Sequence, residues 1–357
     1  MAPAAHVSRL MAILGVAVLA HAGMEAAGEP AVRSAPSRPG AASPALSTAT
    51  TSKLKGRKLG TLEYVNLADV AAELGLKFRW VERRHKAVLT GPSIQAEIEA
   101  DTRDVTINGL RVFLGDPALD ADGRLYVSRV DYERCLTPRL RPGHGVAPRS
   151  SPKVIVLDPG HGGRDNGTSV NEKIYALDVA RRARKILVAA GYQVVLTRDE
   201  DQFLELKERA LIANTANADV FLSIHFNALP KDSKTSGIEV FSFAPRYQRS
   251  ANAWSPRMKD DTEDFASPVN QFDHWSSALA QAVHGRLIRE LKAIDRGAKL
   301  AHWGVLRPLQ CPCILVECGF LTSEAEARKI ATPSYRQELA EGLAAGLRQY
   351  AGLLKGP

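Results

Sequence analysis

The 357-residue chain has little of what would staple a protein together or anchor it in a bilayer. Four cysteines are too few to frame a disulfide scaffold at this length. Cys311, Cys313 and Cys318 cluster, and Cys135 stands alone. One residue between Cys311 and Cys313 is tighter than structural zinc spacings allow. Buried thiols on a core strand are therefore expected, with a disulfide inside the cluster as the alternative. No apolar stretch approaches the ~18 residues that suggest a membrane span. No internal repeat at solenoid periods is found, so stacked-repeat architectures are excluded. The segment from Val32 to Lys58 lacks acids altogether while holding six basic residues. The formal charge of +8 is thus uneven: residues 153–357 carry 27 basic and 24 acidic residues, leaving 20 and 15 before them. No basic stripe or base-stacking motif accompanies the charge, so nucleic acid is not an expected partner.

What is present divides the chain. Arg9 precedes an apolar run of 11 residues, Leu10–Ala20, and Ala20-His21-Ala22 resembles a signal-peptidase site. Residues 1–22 read as an export signal without a lipid-bearing cysteine. The expectation is therefore an exported protein, periplasmic or associated with the cell envelope, with secretion as the alternative. Residues 23–57, rich in Ala, Ser, Pro, Thr and Gly, cannot bury enough apolar surface to offset their ordering entropy and read as a disordered basic tether. A second Pro/Gly-rich linker spans 139–152. Between them, 58–138 read as a small α+β accessory domain. Leu67, Val70, Ala71 and Leu74 have helical spacing, short alternating stretches follow, and Asn108-Gly109 signals a hairpin.

Residues 153–357 alternate apolar strands with amphipathic helices, which predicts an α/β three-layer domain with a mostly parallel sheet. Strands are expected at 154–157, 193–197, 220–225, 238–243 and 314–316, and helices at 173–190, 206–216, 276–291 and 334–347. Active sites in such sheets lie beyond the carboxyl ends of the strands. Three strand ends carry reactive side chains: His161 in Asp158-Pro-Gly-His-Gly-Gly163, His225 in Ser223-Ile-His-Phe-Asn227, and Glu317. Glu172 opens the helix that follows His161. Two imidazoles, a carboxylate and an open position make a catalytic zinc site, and a further carboxylate beside it serves as general base. Singly, each has a plain structural reading: a turn histidine, a core histidine, a first-turn acid favouring the helix dipole. Glu317 is harder to set aside, because an acid closing Ile314-Leu-Val316 must be paired, protonated or liganded if buried.

In order and spacing, several motifs in 153–351 resemble the zinc-dependent N-acetylmuramoyl-L-alanine amidases of family 3. They are Val154-Ile-Val-Leu-Asp-Pro-Gly-His-Gly-Gly163, Asn171-Glu-Lys173, Val194-Val-Leu-Thr-Arg198, Phe221-Leu-Ser-Ile-His-Phe-Asn-Ala228, Gly237-Ile-Glu239, Asp295-Arg-Gly297, Val305-Leu-Arg307 and Leu315-Val-Glu-Cys-Gly-Phe320. The resemblance implies one zinc ion on His161, Glu172 and His225, with Glu317 as the catalytic carboxylate. Its implied substrate is peptidoglycan, cut between the lactyl group of muramic acid and L-alanine. Cys318 stands where isoleucine is more usual. Asn227 is expected to orient substrate or brace its strand, and Arg296 to meet a substrate carboxylate or form a surface ion pair. Residues 58–138 resemble the copper amine oxidase N-terminal-like stalk domain, which implies a spacer or binding module. Two alternatives stay open: a zinc peptidase or other amidohydrolase, and a wall-binding protein with a silent site. The long segment 244–274, with Asp260, Asp261, Glu263 and Asp264, is read as a solvated loop or as a gate over the cleft that offers an acid to the metal. A monomer is expected.

Overall fold

The computed structural model describes residues 53–168, 170–229, 232–251 and 261–354. The signal and nearly all of the tether expected from the sequence lie outside them. The order of elements is β1 (Gly56–Leu59), β2 (Leu62–Asn66), α1 (Leu67–Glu73), β3 (Lys77–Glu82), β4 (Lys86–Gly91), β5 (Ile94–Glu99), β6 (Asp104–Ile107), β7 (Leu110–Phe113), β8 (Leu119–Ala121) and β9 (Arg124–Ser128). A helical turn over 131–136 and α2 (Thr137–Leu140) follow. Then come β10 (Val154–Pro159), α3 (Val170–Ala189), β11 (Gln193–Leu196), α4 (Leu206–Thr215), β12 (Val220–Asn227) and β13 (Ile238–Phe243). The chain ends with α5 (Asp273–Leu291), β14 (Asp295–Ala301), β15 (Cys313–Phe320), α6 (Glu324–Ile330) and α7 (Pro333–Leu353).

The central sheet runs β11-β10-β12-β15-β13-β14. Its first four strands are mutually parallel, and β13 lies antiparallel to β15 with Glu239 opposite Glu317. Helices α3, α5 and α7 cover one face through Val179, Leu187, Leu279, Val283, Leu343 and Leu347, all fully buried. Helix α4 and the segment Val305–Leu309 cover the other, over Phe221, Phe241 and Leu315. Each such side chain contributes roughly 1.5–3 kcal/mol by leaving water. This is the three-layer α/β architecture expected from the sequence, with the small β-rich unit ahead of it.

The sheet does not stop at β14. Its edge pairs in parallel with β7 through Ala298 and Val112, and the meander β7-β6-β5-β4-β3 extends it to eleven strands. Ala298 is itself part of the core formed by Leu89, Ile98, Ile107, Val112 and Val127. Asp295 Oδ2 accepts from Arg111 N at 2.8 Å, and His274 Nε2 lies 2.7 Å from Pro142 O. The amino-terminal unit and the carboxyl-terminal layers therefore share one sheet. The sequence did not announce β14, because Asp295, Arg296 and Lys299 disguise it. Their charges are met by His284 and Glu239.

All four thiols are free and buried. Burial raises them, Cys135 to about 11 and Cys311 to about 12, which leaves them inert. The expected buried thiols are found, and a disulfide within the cluster is not. Because β13 runs opposite to β15, the segment after Phe243 leaves the sheet at the edge away from the end of β15. Two of its acids are committed there, Asp261 to His302 at 3.3 Å and Glu263 to Arg307 at 2.7 Å. Gln248 Nε2 donates to the buried Asp131 carboxylate. The expectation that this insertion gates the cleft with an acid is thus corrected for Asp261 and Glu263, while Asp260 lies outside the described residues. Strand direction alone, unreadable from local sequence, decides it.

Candidate metal centre

The strands β10, β12 and β15 end on the same edge, and there the four predicted side chains meet. His225 and Glu317 are cross-strand partners, and Glu317 in turn faces Glu239. His161 follows β10 in a left-handed conformation, φ 58°. Such a backbone costs about 1–3 kcal/mol in a non-glycine residue and persists only where its surroundings enforce it. The enforcement is visible. Gly162 N donates to Asp165 O and Asp165 N to Gly162 O, closing a tight turn. Gly162 has φ 133°, and a Cβ there would lie 2.1 Å from Gln202 O. A Cβ on Gly160 would lie 2.3 Å from the His225 ring.

Beneath the turn sits a buried ionic network. The Asp158 carboxylate accepts from Thr197 Oγ1 (2.6 Å), Ser223 Oγ (2.7 Å) and Arg209 Nη1 (2.8 Å). Arg209 also donates to Pro159 O and His161 O, both at 2.8 Å. Arg198 donates to Pro159 O, Gly160 O and Lys173 O. Two buried guanidinium groups thus hold the carbonyls of three successive residues, the last of them His161. Burial favours the neutral acid at Asp158, but Arg209, Thr197 and Ser223 outweigh it and lower its pKa.

Glu172 lies in the first turn of α3 and is 1% exposed. Its Oε2 accepts from Thr168 N (2.6 Å) and Thr168 Oγ1 (2.8 Å). That leaves Oε1 facing the histidines, 3.1 Å from His161 Nε2 and 3.2 Å from His225 Nδ1, and the two ring nitrogens are 3.1 Å apart. Burial opposes the charge on Glu172, but the two imidazoles more than compensate and hold it well below the carboxylate range. His161 Nδ1 meets Asp165 Oδ2 at 2.8 Å, which fixes the ring and turns Nε2 inward. Asp165 was missed in the sequence, although its place four residues after His161 in a glycine-rich turn was a usable signal. Burial works against charge on His161, and Glu172 and Asp165 reverse that, raising its pKa.

These three donors are the one group among the described residues able to share a metal ion. Tetrahedral zinc with bonds of ~2.0–2.1 Å separates its ligand atoms by about 3.3 Å, close to the spacings found. The chemistry of the set, two imidazoles and one carboxylate, also fits that ion. Glu317, 8% exposed, stands beside it with Oε2 lacking a hydrogen-bond partner. Burial and the neighbouring Glu172 and Glu239 charges raise its proton affinity, against a weaker pull from Lys299. Asn227 Oδ1 accepts from Ala228 N at 2.7 Å, a local brace at the end of β12. Arg296, at the start of β14 on the same edge, donates to Glu239 Oε1 at 2.6 Å and lies over Phe320.

Fold and site together define an α/β protein with a candidate mononuclear metal centre at the carboxyl edge of a parallel sheet. The family model described as N-acetylmuramoyl-L-alanine amidase matches residues 155–349, more than half of the chain. The chain belongs to that family. Among curated relatives, it is 32% identical over 243 residues to N-acetylmuramoyl-L-alanine amidase AmiC of Escherichia coli, covering 62% of this chain and 58% of the relative. It is 32% identical over 206 residues to the sporulation-specific N-acetylmuramoyl-L-alanine amidase of Bacillus subtilis, covering 56% and 69%. The chain therefore spans somewhat more than half the length of the first of these. A solved N-acetylmuramoyl-L-alanine amidase from Clostridium difficile 630 matches at 34% identity, TM-score 0.46, over 56% of this chain and 97% of that one. The family match begins after the amino-terminal unit, and the resemblance of residues 58–138 to the stalk domain of copper amine oxidases is not borne out.

Proposed function

We propose that the protein is a zinc-dependent N-acetylmuramoyl-L-alanine amidase that releases stem peptides from peptidoglycan. The observation that carries this is the convergence of His161 Nε2, His225 Nδ1 and Glu172 Oε1 within 3.2 Å of one another, with the buried Glu317 next in the same cross-strand row. Family membership supports the choice of substrate.

In this reading His161, Glu172 and His225 hold the ion. Zinc in such a site acts as a Lewis acid on the scissile carbonyl and lowers the pKa of water. Glu317 accepts the proton of the attacking water at its unpartnered oxygen. It then delivers that proton to the nitrogen of L-alanine as the C–N bond breaks, leaving a lactyl carboxylate and a free amine. Asp165 holds the His161 ring, and Thr168 holds the second oxygen of Glu172. Asn227 braces the end of β12. The part-exposed guanidinium of Arg296, 30% accessible, faces a substrate carboxylate. Export through the amino-terminal signal brings the enzyme to the periplasm or envelope; no helix among the described residues is long and apolar enough to cross a membrane.

Mass spectrometry of peptidoglycan digested with the full chain tests this. The wild type is expected to release stem peptides with a free amino-terminal alanine. Glu317→Gln is expected to keep its zinc and lose at least ~10²-fold in turnover. Full activity in that variant refutes the role of Glu317, and cleavage at other peptide bonds refutes the amidase reading in favour of a peptidase.

A further inference from the structure

The face of the sheet that carries Glu317 continues onto the amino-terminal unit. Glu317 faces Glu239, and Phe241 on the same side of β13 faces Lys299. Lys299 Nζ lies 3.1 Å from Glu239 Oε1 and 5.3 Å from the centre of the Phe113 ring, over which the Arg111 guanidinium also rests, at 5.0 Å. Beyond Arg111, cross-strand partners Thr106, Glu97, Lys86 and Glu99 keep to this face. There a cavity of about 380 Å³ opens, lined by Lys86, Glu97, Glu99, Asp104, Thr106 and Arg111. Its walls are ionised or hydroxyl-bearing, with no aromatic ring for a sugar to stack on. The three carboxylates lie on the two strands between the cations, with Lys86 bridged to Glu97 at 2.8 Å and Arg111 to Asp104.

We infer that this cavity is a substrate subsite of the amino-terminal unit, which takes the distal, cross-linked part of the peptide whose amide is cut at Glu317. The inference rests on the amidase reading for the identity of the polymer. Charge pattern and distance select the occupant. A peptide presents the free carboxylates and ammonium that can exchange with Lys86–Glu97 and Arg111–Asp104, whereas a glycan does not. Four strand steps separate Glu317 in β15 from Thr106 in β6, about 19 Å at ~4.8 Å per step. An extended peptide needs about six residues for that span, longer than a single uncross-linked stem.

The test uses the full chain and two probes released from peptidoglycan by a muramidase: a disaccharide–tetrapeptide monomer and its peptide-cross-linked dimer. Thr106→Tyr fills the cavity, and Lys86→Met with Glu97→Gln removes one charge pair with little change in volume; all three positions are part-exposed and far from the metal centre. Both variants are expected to lower kcat/KM for the dimer about tenfold while leaving the monomer within about twofold. Dimer affinity measured calorimetrically in a Glu317→Gln background is expected to fall by the same factor. If either variant changes monomer and dimer equally, or changes neither, the subsite is refuted while the amidase reading stands. If the wild type cleaves neither probe yet binds the dimer in a Thr106-sensitive way, the amidase reading fails and the subsite stands.

Discussion

Arg209→Met tests whether the turn bearing His161 is held from below. Arg209 and Asp158 have side chains only 3% and 1% exposed, and Nη1 and Oδ1 are 2.8 Å apart. Removing one partner of such a pair leaves a buried charge uncompensated, at a cost of about 3–5 kcal/mol. Lost bonds to Pro159 O and His161 O add to this, each normally worth about 1 kcal/mol, though not additively. A loss of about 4 kcal/mol is expected, a large part of the ~5–15 kcal/mol that holds a typical domain. The charge makes the loss pH-dependent. In the wild type the Asp158 pKa is lowered; without Arg209, burial raises it above its unfolded value. Protonation then relieves the variant as the pH falls, so its deficit is greater at pH 7 than at pH 5. Adding Asp158→Asn to Arg209→Met removes the stranded charge and should recover about 2 kcal/mol at pH 7. Urea denaturation at both pH values, with equal m-values required, measures all of this. A deficit below about 1 kcal/mol, or strict additivity in the double variant, would refute the reasoning.

Other perturbations are expected to separate as follows. Asp165→Asn removes the carboxylate facing His161 Nδ1 at 2.8 Å and should weaken zinc about 10–100-fold in chelator competition, with the fold retained by circular dichroism. Gly160→Ala places a methyl 2.3 Å from the His225 ring; loss of bound zinc without global unfolding is expected, and normal metal content would show that the strand end is slack. His274 and Asp273 titrate with opposite sign. Burial, aided by Arg134 and His144, lowers His274 to about 4, so its contribution is full above pH ~6.5 and is lost, by about 3 kcal/mol, as pH falls toward 4. Burial raises Asp273 to about 7, against hydrogen bonds from Asn270. Its contribution is therefore present below pH ~4 and lost as pH rises through 7. Denaturation across pH 4–7 should find Asp273→Asn more acid-labile than the wild type and His274→Gln less so; parallel profiles would contradict both assignments.

The parts of the site that local chemistry fixes were legible in the chain. Apolar runs set β10, β12 and β15 in a parallel sheet, and its carboxyl edge pointed to His161, His225 and Glu317. Glu172 followed from its closeness to His161 at a helix start. Asp165 was missed because a turn acid reads as solvated until the turn folds back on the ring. Arg198 and Arg209 were not singled out, because nothing local reveals that backbone carbonyls and Asp158 await them in the interior.

What the sequence determined by itself was most of the elements, their polarity pattern and the donor types. These depend on residues a few positions apart, where spacing fixes which side chains share a face. Only the tertiary structure decided that β13 runs against β15, sending residues 244–251 and 261–272 away from the site, and that β14 joins β7 to make one eleven-stranded sheet. Strand direction and long-range register arise from burial summed over the whole core, such as Ala298 among Leu89, Ile98 and Val112, and no local stretch of sequence carries that sum.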